Sequence, residues 1–267
     1  MDFATLERQA WTDPDVARTY DETFAGVVGP SLGPLLVAAG VGRGSRVLDI
    51  ACGPGPVTQR LLAAPANAVS FDLSRAMLER ARARVGASLT PCRGSALELP
   101  FRDGSFDATV CNLGLLHFPD PGAALREGAR VVRPGGKCAW SVWGPDAQLL
   151  RLIPESMEAI GARPNMPEAP GFFRFAEPGV FETDLQRAGL TPNPPVTVRF
   201  TVPVKSGDEV WRMFRDGTAR TRAGIAALSD EDQVRLRAEV TRRLETWRTD
   251  DGFLVPTSVV IGSGRRP

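Results

Sequence analysis

The pattern of hydrophobic and polar positions changes character at Ser45. Residues 1–45 mix helical periodicity with glycine and proline breaks, as in "VVGPSLGPLLVAAGVGRGS". Beyond Ser45, short apolar runs alternate with amphipathic stretches. "RVLDIA" is β-rich and lacks polar alternation, as a strand buried on both faces should. "VTQRLLAA" is helical. "NAVSFDL" reads as a second strand ending at Asp72, and Ser74 caps a helix through "RAMLERARARV". "LTPCRG" predicts a weak third strand and "SFDATVCNLG" a fourth. "PGAALREGARVV" predicts a helix, which "RPGG" stops before a fifth strand, "KCAWSVWG".

Strands alternating with helices of this length predict βαβ units and an α/β, doubly wound, mostly parallel sheet. Ligands of such sheets bind at the C-terminal ends of the strands, near the switch in strand order. Beyond residue 144 the pattern is less regular. "AQLLRLIPESMEAIG", residues 177–188 and most of 207–249 predict helices, with Ser229 as a cap in the last. "VTVRFTVPV" and "LVPTSVVIG" predict two more strands.

Composition narrows the classes. An apolar fraction of 43% and a charged fraction of 24% suit an ordinary globular chain of 267 residues. A formal charge of +1 argues against broad nucleic-acid binding, which depends on neutralising phosphates. The four cysteines, Cys52, Cys92, Cys111 and Cys138, show no zinc or redox spacing, so a reducing compartment is expected. No secretory pattern opens the chain, and no apolar run has the roughly 20 residues of a membrane span. A cytoplasmic protein with no membrane partner is the expectation. His117 is the only histidine, which excludes multi-histidine metal sites and makes a metal cofactor unexpected.

The chemistry concentrates in "VLDIACGPGP", residues 47–56. Glycines at 53 and 55 let a backbone approach a ligand, and the following helix offers its N-terminal amides. Three ligands would accept such a loop: a dinucleotide, a nucleoside triphosphate and a nucleoside sulfonium. The dinucleotide fingerprint needs a third glycine, where this chain has Thr58. Prolines at 54 and 56 remove amide donors that a pyrophosphate would use. No lysine follows, so the phosphate loop of nucleotide triphosphatases is absent. Asp49 opens the loop. Asp72 ends the next strand at the spacing from which a carboxylate reaches ribose hydroxyls.

"VLDIACGPG", "VSFDLSRAML", "GSALELPFRDGSFDATVCNLGLLHF" and "ARVVRPGG" resemble, in order and spacing, the motifs of class I S-adenosylmethionine-dependent methyltransferases. The nearest group is the ubiquinone/menaquinone-biosynthesis-like small-molecule methyltransferases. The resemblance is specific over residues 45–143, looser over 175–203 and 253–262, and weak elsewhere. It implies a Rossmann-like seven-stranded sheet with an antiparallel last strand and helical lid insertions. It implies one domain over 1–267: an N-terminal segment, 1–44, over the cofactor; a cofactor-binding core, 45–144; lid insertions, 145–175 and 206–252; and 176–205 with 253–264 completing the sheet.

The resemblance also implies roles. Asp49, Ala51, Gly53 and Gly55 would line the methionine part of S-adenosyl-L-methionine. Asp72 would take the ribose hydroxyls, with Leu73 and Met77 beside the adenosine. Ser95 and Ala96 would border the adenine, while Asn112 and Leu113 would face the reacting methyl. Tyr20 would fold over the cofactor. Two positions depart from the pattern: Ala51 replaces a glycine, tolerable if its φ stays negative, and Ser95 replaces an aspartate.

Outside these positions, His117 is the only side chain suited to act as general base, though the plainer reading has it holding the loop "LHFPDP". "GPSLG" matches a serine-hydrolase elbow at Ser31, but it precedes the sheet and reads as a chance match. The expected activity is methyl transfer to a small organic acceptor, apolar or aromatic, by a monomer or homodimer. The alternatives are a cofactor-binding protein of the same fold acting as a cyclase or regulatory module, and an NAD-dependent oxidoreductase.

Overall fold

From Ser45 onward the apolar runs become strands and the amphipathic stretches helices. The computed structural model describes all 267 residues. The first part contains α1 (Phe3–Thr12), α2 (Pro14–Thr23), α3 (Gly29–Ala38), β1 (Arg46–Ile50), α4 (Pro56–Ala63), β2 (Asn67–Asp72) and α5 (Arg75–Val85). Then follow β3 (Pro91–Arg93), β4 (Phe106–Asn112), α6 (Pro121–Val131), β5 (Val132–Trp143) and α7 (Gln148–Ala159). The chain closes with α8 (Val180–Arg187), β6 (Thr191–Val204), α9 (Gly207–Asp216), α10 (Arg220–Ala226), α11 (Asp230–Leu244), β7 (Arg248–Thr249) and β8 (Gly252–Arg265).

The sheet order is β3-β2-β1-β4-β5-β8-β6, with the two-residue β7 paired to β8. β1 pairs in parallel with both β2 and β4, so the strand order reverses there. β8 runs antiparallel to β5, as expected. Ser74 caps α5, its hydroxyl accepting from the Met77 amide at 3.2 Å.

Two compact units emerge. One comprises Val28–Pro145, Ala169–Val198 and Val259–Pro267; the other comprises Met1–Val27, Asp146–Glu168 and Arg199–Ser258. In the first, Leu48, Ile50, Phe71, Leu125, Trp140 and Phe181 form a continuous core. Phe175 packs against Phe181 in that core, with the rings tilted by 45° and 5.1 Å between their centres.

The second unit is mainly helical. Trp11, Tyr20, Phe24 and Phe214 make successive ring contacts at 5.2, 5.7 and 5.4 Å. Ion pairs tie its helices together: Arg212 of α9 with Glu22 of α2, and Arg243 of α11 with Glu155 of α7.

Two expectations need correction. "RPGG" does not separate α6 from the next strand, because β5 already begins at Val132. Phe106 pairs with Val132 but Ala108 with Lys137, so residues 133–136 bulge opposite Asp107. β6 begins five residues before the predicted run and takes in Pro192, Pro194 and Pro195; it is an edge strand, where missing amide donors are tolerated. The Ser31 match is a chance one, as read: Ser31 lies inside α3, fully buried, its hydroxyl bonded to the Val28 carbonyl at 2.8 Å.

Candidate functional site

The turn after β1 is shaped by three residues in left-handed conformation: Ala51 at φ 52°, Gly53 at 54° and Gly55 at 85°. Glycine adopts this region without steric cost. Ala51 does not, and the condition under which it would replace a glycine freely, a negative φ, is not met. A left-handed non-glycine residue costs about 1–2 kcal/mol. The neighbours of the two glycines explain their different uses. A Cβ on Gly55 would lie 3.1 Å from the Cβ of Ala81, because the loop packs tightly on α5. A Cβ on Gly53 would meet nothing within 4 Å, so the loop backbone there faces open space.

Asp72 ties this loop to the end of β2. One carboxylate oxygen accepts from the Gly53 amide at 2.9 Å, the other from the Ser74 amide at 2.8 Å. Each oxygen keeps a second lone pair for a further donor. Burial raises the Asp72 pKa, and the hydrogen bonds from Ser74, Gly53 and Leu73 oppose that rise. His117, in the short turn after β4, is close enough to favour the ionised form.

Asp49 is completely buried. Its Oδ2 accepts from the Thr58 hydroxyl at 2.7 Å, and Thr58 also bonds Ser70 at 2.8 Å. Its Oδ1 has no partner. Burial pushes the Asp49 pKa up to about 7, and the nearby Asp72 charge adds to the rise. Thr58, which sequence reading noted only as a missing glycine, is thus the residue that holds this acid. The spacing of nine residues gave no sign of it, since the contact needs α4 folded back over β1.

At the end of β4, Ser141 of β5 organises two predicted residues. Its hydroxyl donates to Asn112 Oδ1 at 2.8 Å and accepts from the Leu113 amide at 3.1 Å. Leu113 is held at φ 57°. Ser141 was not foreseen; only strand pairing places it beside Asn112. Gly114 follows, tightly enclosed: a Cβ there would sit 2.7 Å from Cys111 Sγ and 2.8 Å from the Ala51 Cβ.

Of the other predicted residues, Met77 and Ala96 are buried and Leu73 is 37% exposed. Ser95 is exposed and its hydroxyl accepts from the Leu97 amide at 3.2 Å. All predicted residues except Tyr20 belong to the same compact unit; Tyr20 belongs to the other, between Trp11 and Phe24.

The donor set fits a nucleoside sulfonium better than a polyphosphate. Two buried carboxylates, one with an unpartnered oxygen, frame the loop, and no lysine lies near it in sequence. Arg84 donates to the Pro54 carbonyl at 2.8 Å. This field repels phosphates and attracts a net cation. The sheet order and its helical crossovers define a Rossmann-like α/β fold.

The comparisons with known proteins are more specific. Residues 48–140 match the sequence model of a family described as a methyltransferase domain. A protein of uncharacterised function from Mycobacterium tuberculosis is 38% identical over 167 residues, 60% of this chain and 59% of its own length. A demethylmenaquinone methyltransferase from a Mycobacterium species is 37% identical over 138 residues, 48% of this chain and 59% of its own length. These matches span a little under three fifths of each curated relative. Among solved structures, a Haemonchus contortus phosphoethanolamine N-methyltransferase shares the fold with a TM-score of 0.58 at 17% identity, over 100% of this chain and 60% of its own. Over residues 48–140 this chain is similar to methyltransferase domains. No helix is long and apolar enough to cross a membrane.

Proposed function

We propose that the protein transfers the methyl group of S-adenosyl-L-methionine to a small, apolar or aromatic organic acceptor. The observation that carries this reading is the link between Gly53 and Asp72: it joins a glycine turn facing open space to a strand-end carboxylate with lone pairs to spare. When bound, the cofactor supplies an electrophilic methyl on a sulfonium whose departure leaves a neutral thioether. The protein therefore need not stabilise a developing anion on the leaving group; it must align the reactants and exclude water.

Asp72 would accept from the ribose hydroxyls, with Leu73 and Met77 flanking the nucleoside and Ser95 and Ala96 the base. Asp49 and the backbone at Ala51, Gly53 and Gly55 would seat the methionine end. Asn112 and Leu113, fixed by Ser141, would border the methyl. For a hydroxyl or acidic-carbon acceptor, an imidazole nitrogen of His117 would take the proton; for an amine or carboxylate acceptor, alignment would suffice. An acceptor with a ring fits the similarity to a demethylmenaquinone methyltransferase.

The test is calorimetry with S-adenosylhomocysteine and with NAD, followed by a screen of acceptor classes with methyl-labelled cofactor. S-adenosylhomocysteine should bind and NAD should not. Asp72→Ala should weaken the former at least about tenfold, the loss of one charge-assisted bidentate contact. Preference for NAD, or unchanged affinity in the variant, would defeat the reading.

A further inference from the structure

At the opposite end of the parallel strands from the glycine loop lies a pocket of about 360 Å³. β1 separates the two by its five residues, about 15 Å. Its walls include Gly40, Arg43 and Gly44 before β1, Asp107 of β4, and Arg133 and Lys137 of the β5 bulge. Glycine backbone forms much of the surface, which keeps the space open between the charged side chains. The Lys137 chain passes over Gly40: a Cβ there would lie 3.2 Å from its Cδ and 3.5 Å from its Nζ.

The charge here is unbalanced. Asp107 is the only acid on the wall, and it is already engaged by the Arg133 guanidinium at 2.7 Å and the Arg46 amide at 2.8 Å. Those bonds hold its carboxyl below the usual range. Arg266 points its guanidinium to the carbonyls of Arg130 and Val132. Arg43, Lys137 and Arg265 make no ion pair. Lys137 and Arg265 stand directly opposite each other across the antiparallel β5–β8 pair, an arrangement of like charges that costs stability. In a chain of net charge +1 with two lysines in all, this is a concentrated cationic site.

We propose that this pocket is an anion site, built by Arg43, Arg133 and Lys137, for a phosphate-bearing small molecule. A phosphate or pyrophosphate group offers the anionic acceptor that Arg43 and Lys137 lack, takes the donors of Arg133 not engaged by Asp107, and relieves the repulsion between Lys137 and Arg265. The pocket is too small for a duplex surface and too polar for an apolar ligand. The site is separate from the nucleoside seat and independent of the proposed methyl transfer.

The experiment is calorimetric titration of the full chain with pyrophosphate and with inorganic phosphate at constant ionic strength. Saturable one-to-one binding is expected, at least about tenfold weaker in Lys137→Met and in Arg43→Ala, each cation supplying a charge-assisted bond. S-adenosylhomocysteine affinity should not change in either variant. Without anion, Lys137→Met should melt no lower than the native chain, since it removes a like-charge pair. Four results would overturn the proposal. One is no saturable binding to the native chain. Another is binding by both variants as tight as that of the native chain. The third is a lower anion-free melting point for Lys137→Met, which would make Lys137 a cap for the end of α3. An oligonucleotide that binds more tightly than pyrophosphate through the same residues would also overturn it.

Discussion

Ala51 and Gly114 are fitted to each other: the Ala51 Cβ stands 2.8 Å from where a Cβ on Gly114 would be. The turn after β1 and the turn after β4 therefore meet at van der Waals limit beside the proposed methyl site. Gly114→Ala should destabilise the protein by about 1–3 kcal/mol, the usual cost of overpacking a closed space. Combining it with Ala51→Gly should recover part of that loss. Denaturant melts of the two single variants and the double variant measure the coupling, expected at about 0.5 kcal/mol or more. Strict additivity would show that the two turns are independent.

Ala51 carries its own strain at φ 52°. Ala51→Gly removes a left-handed penalty of about 1–2 kcal/mol but adds chain entropy to the unfolded state. A net gain of about 0.5–1 kcal/mol is expected from thermal or denaturant melts. A loss of stability would mean that the methyl group packs better than its backbone suffers.

Asp49 should leave a mark on the pH dependence of stability. Its folded pKa, about 7, lies above the ordinary value of 3.8. Between these values the native state keeps a proton that the unfolded chain releases. Stability attributable to Asp49 is therefore full below about pH 4 and falls as pH rises to about 7. Above pH 7 the loss stays constant, on the order of 4 kcal/mol at most. Asp49→Asn removes the titration. The stability difference between native chain and variant should grow from pH 4 to 7 in favour of the variant. A difference that does not change with pH would place the Asp49 pKa in the normal range.

Thr58 is the hydroxyl that keeps Asp49 from complete isolation. Thr58→Val preserves shape but removes this donor and the link to Ser70. At pH 8 it should cost about 1–3 kcal/mol, the penalty for an unsatisfied buried acceptor, and more if the acid stays charged. Thr58→Ser should retain most of the stability. If valine and serine behave alike, the hydroxyl carries no energy.

Ser141 offers a test that separates positioning from folding. Ser141→Ala should leave cofactor affinity within about threefold, because the Ser141 hydroxyl bonds only Asn112 and the Leu113 amide. Methyl transfer to an identified acceptor should fall more, through misplacement of Asn112. Equal effects on binding and turnover would assign Ser141 a general structural role.

The order of strands and helices from Ser45 to Trp143 was legible in the sequence because each element is local. Burial on both faces writes a continuous apolar run, and an amphipathic helix writes its own period. Ser74 and Ser229 are caps as read, since a cap contacts residues only two or three positions away. The glycine turn and Asp72 were legible for a similar reason: one is a local backbone need, the other ends a strand. What the sequence by itself determined was thus the α/β class, the loop and the two acids.

Tertiary structure decided everything that depends on distant segments meeting. Thr58 reaches Asp49 only when α4 folds back on β1. Ser141 reaches Asn112 only through the β4–β5 register. The left-handed Ala51 is set by its neighbours rather than by its own preference, which points the other way. The cationic pocket joins residues from 40 to 137, and the like-charge pair of Lys137 and Arg265 exists only because β8 runs antiparallel to β5. Contact energy depends on separation in space, and a one-dimensional pattern carries that separation only over a turn of helix or a single strand.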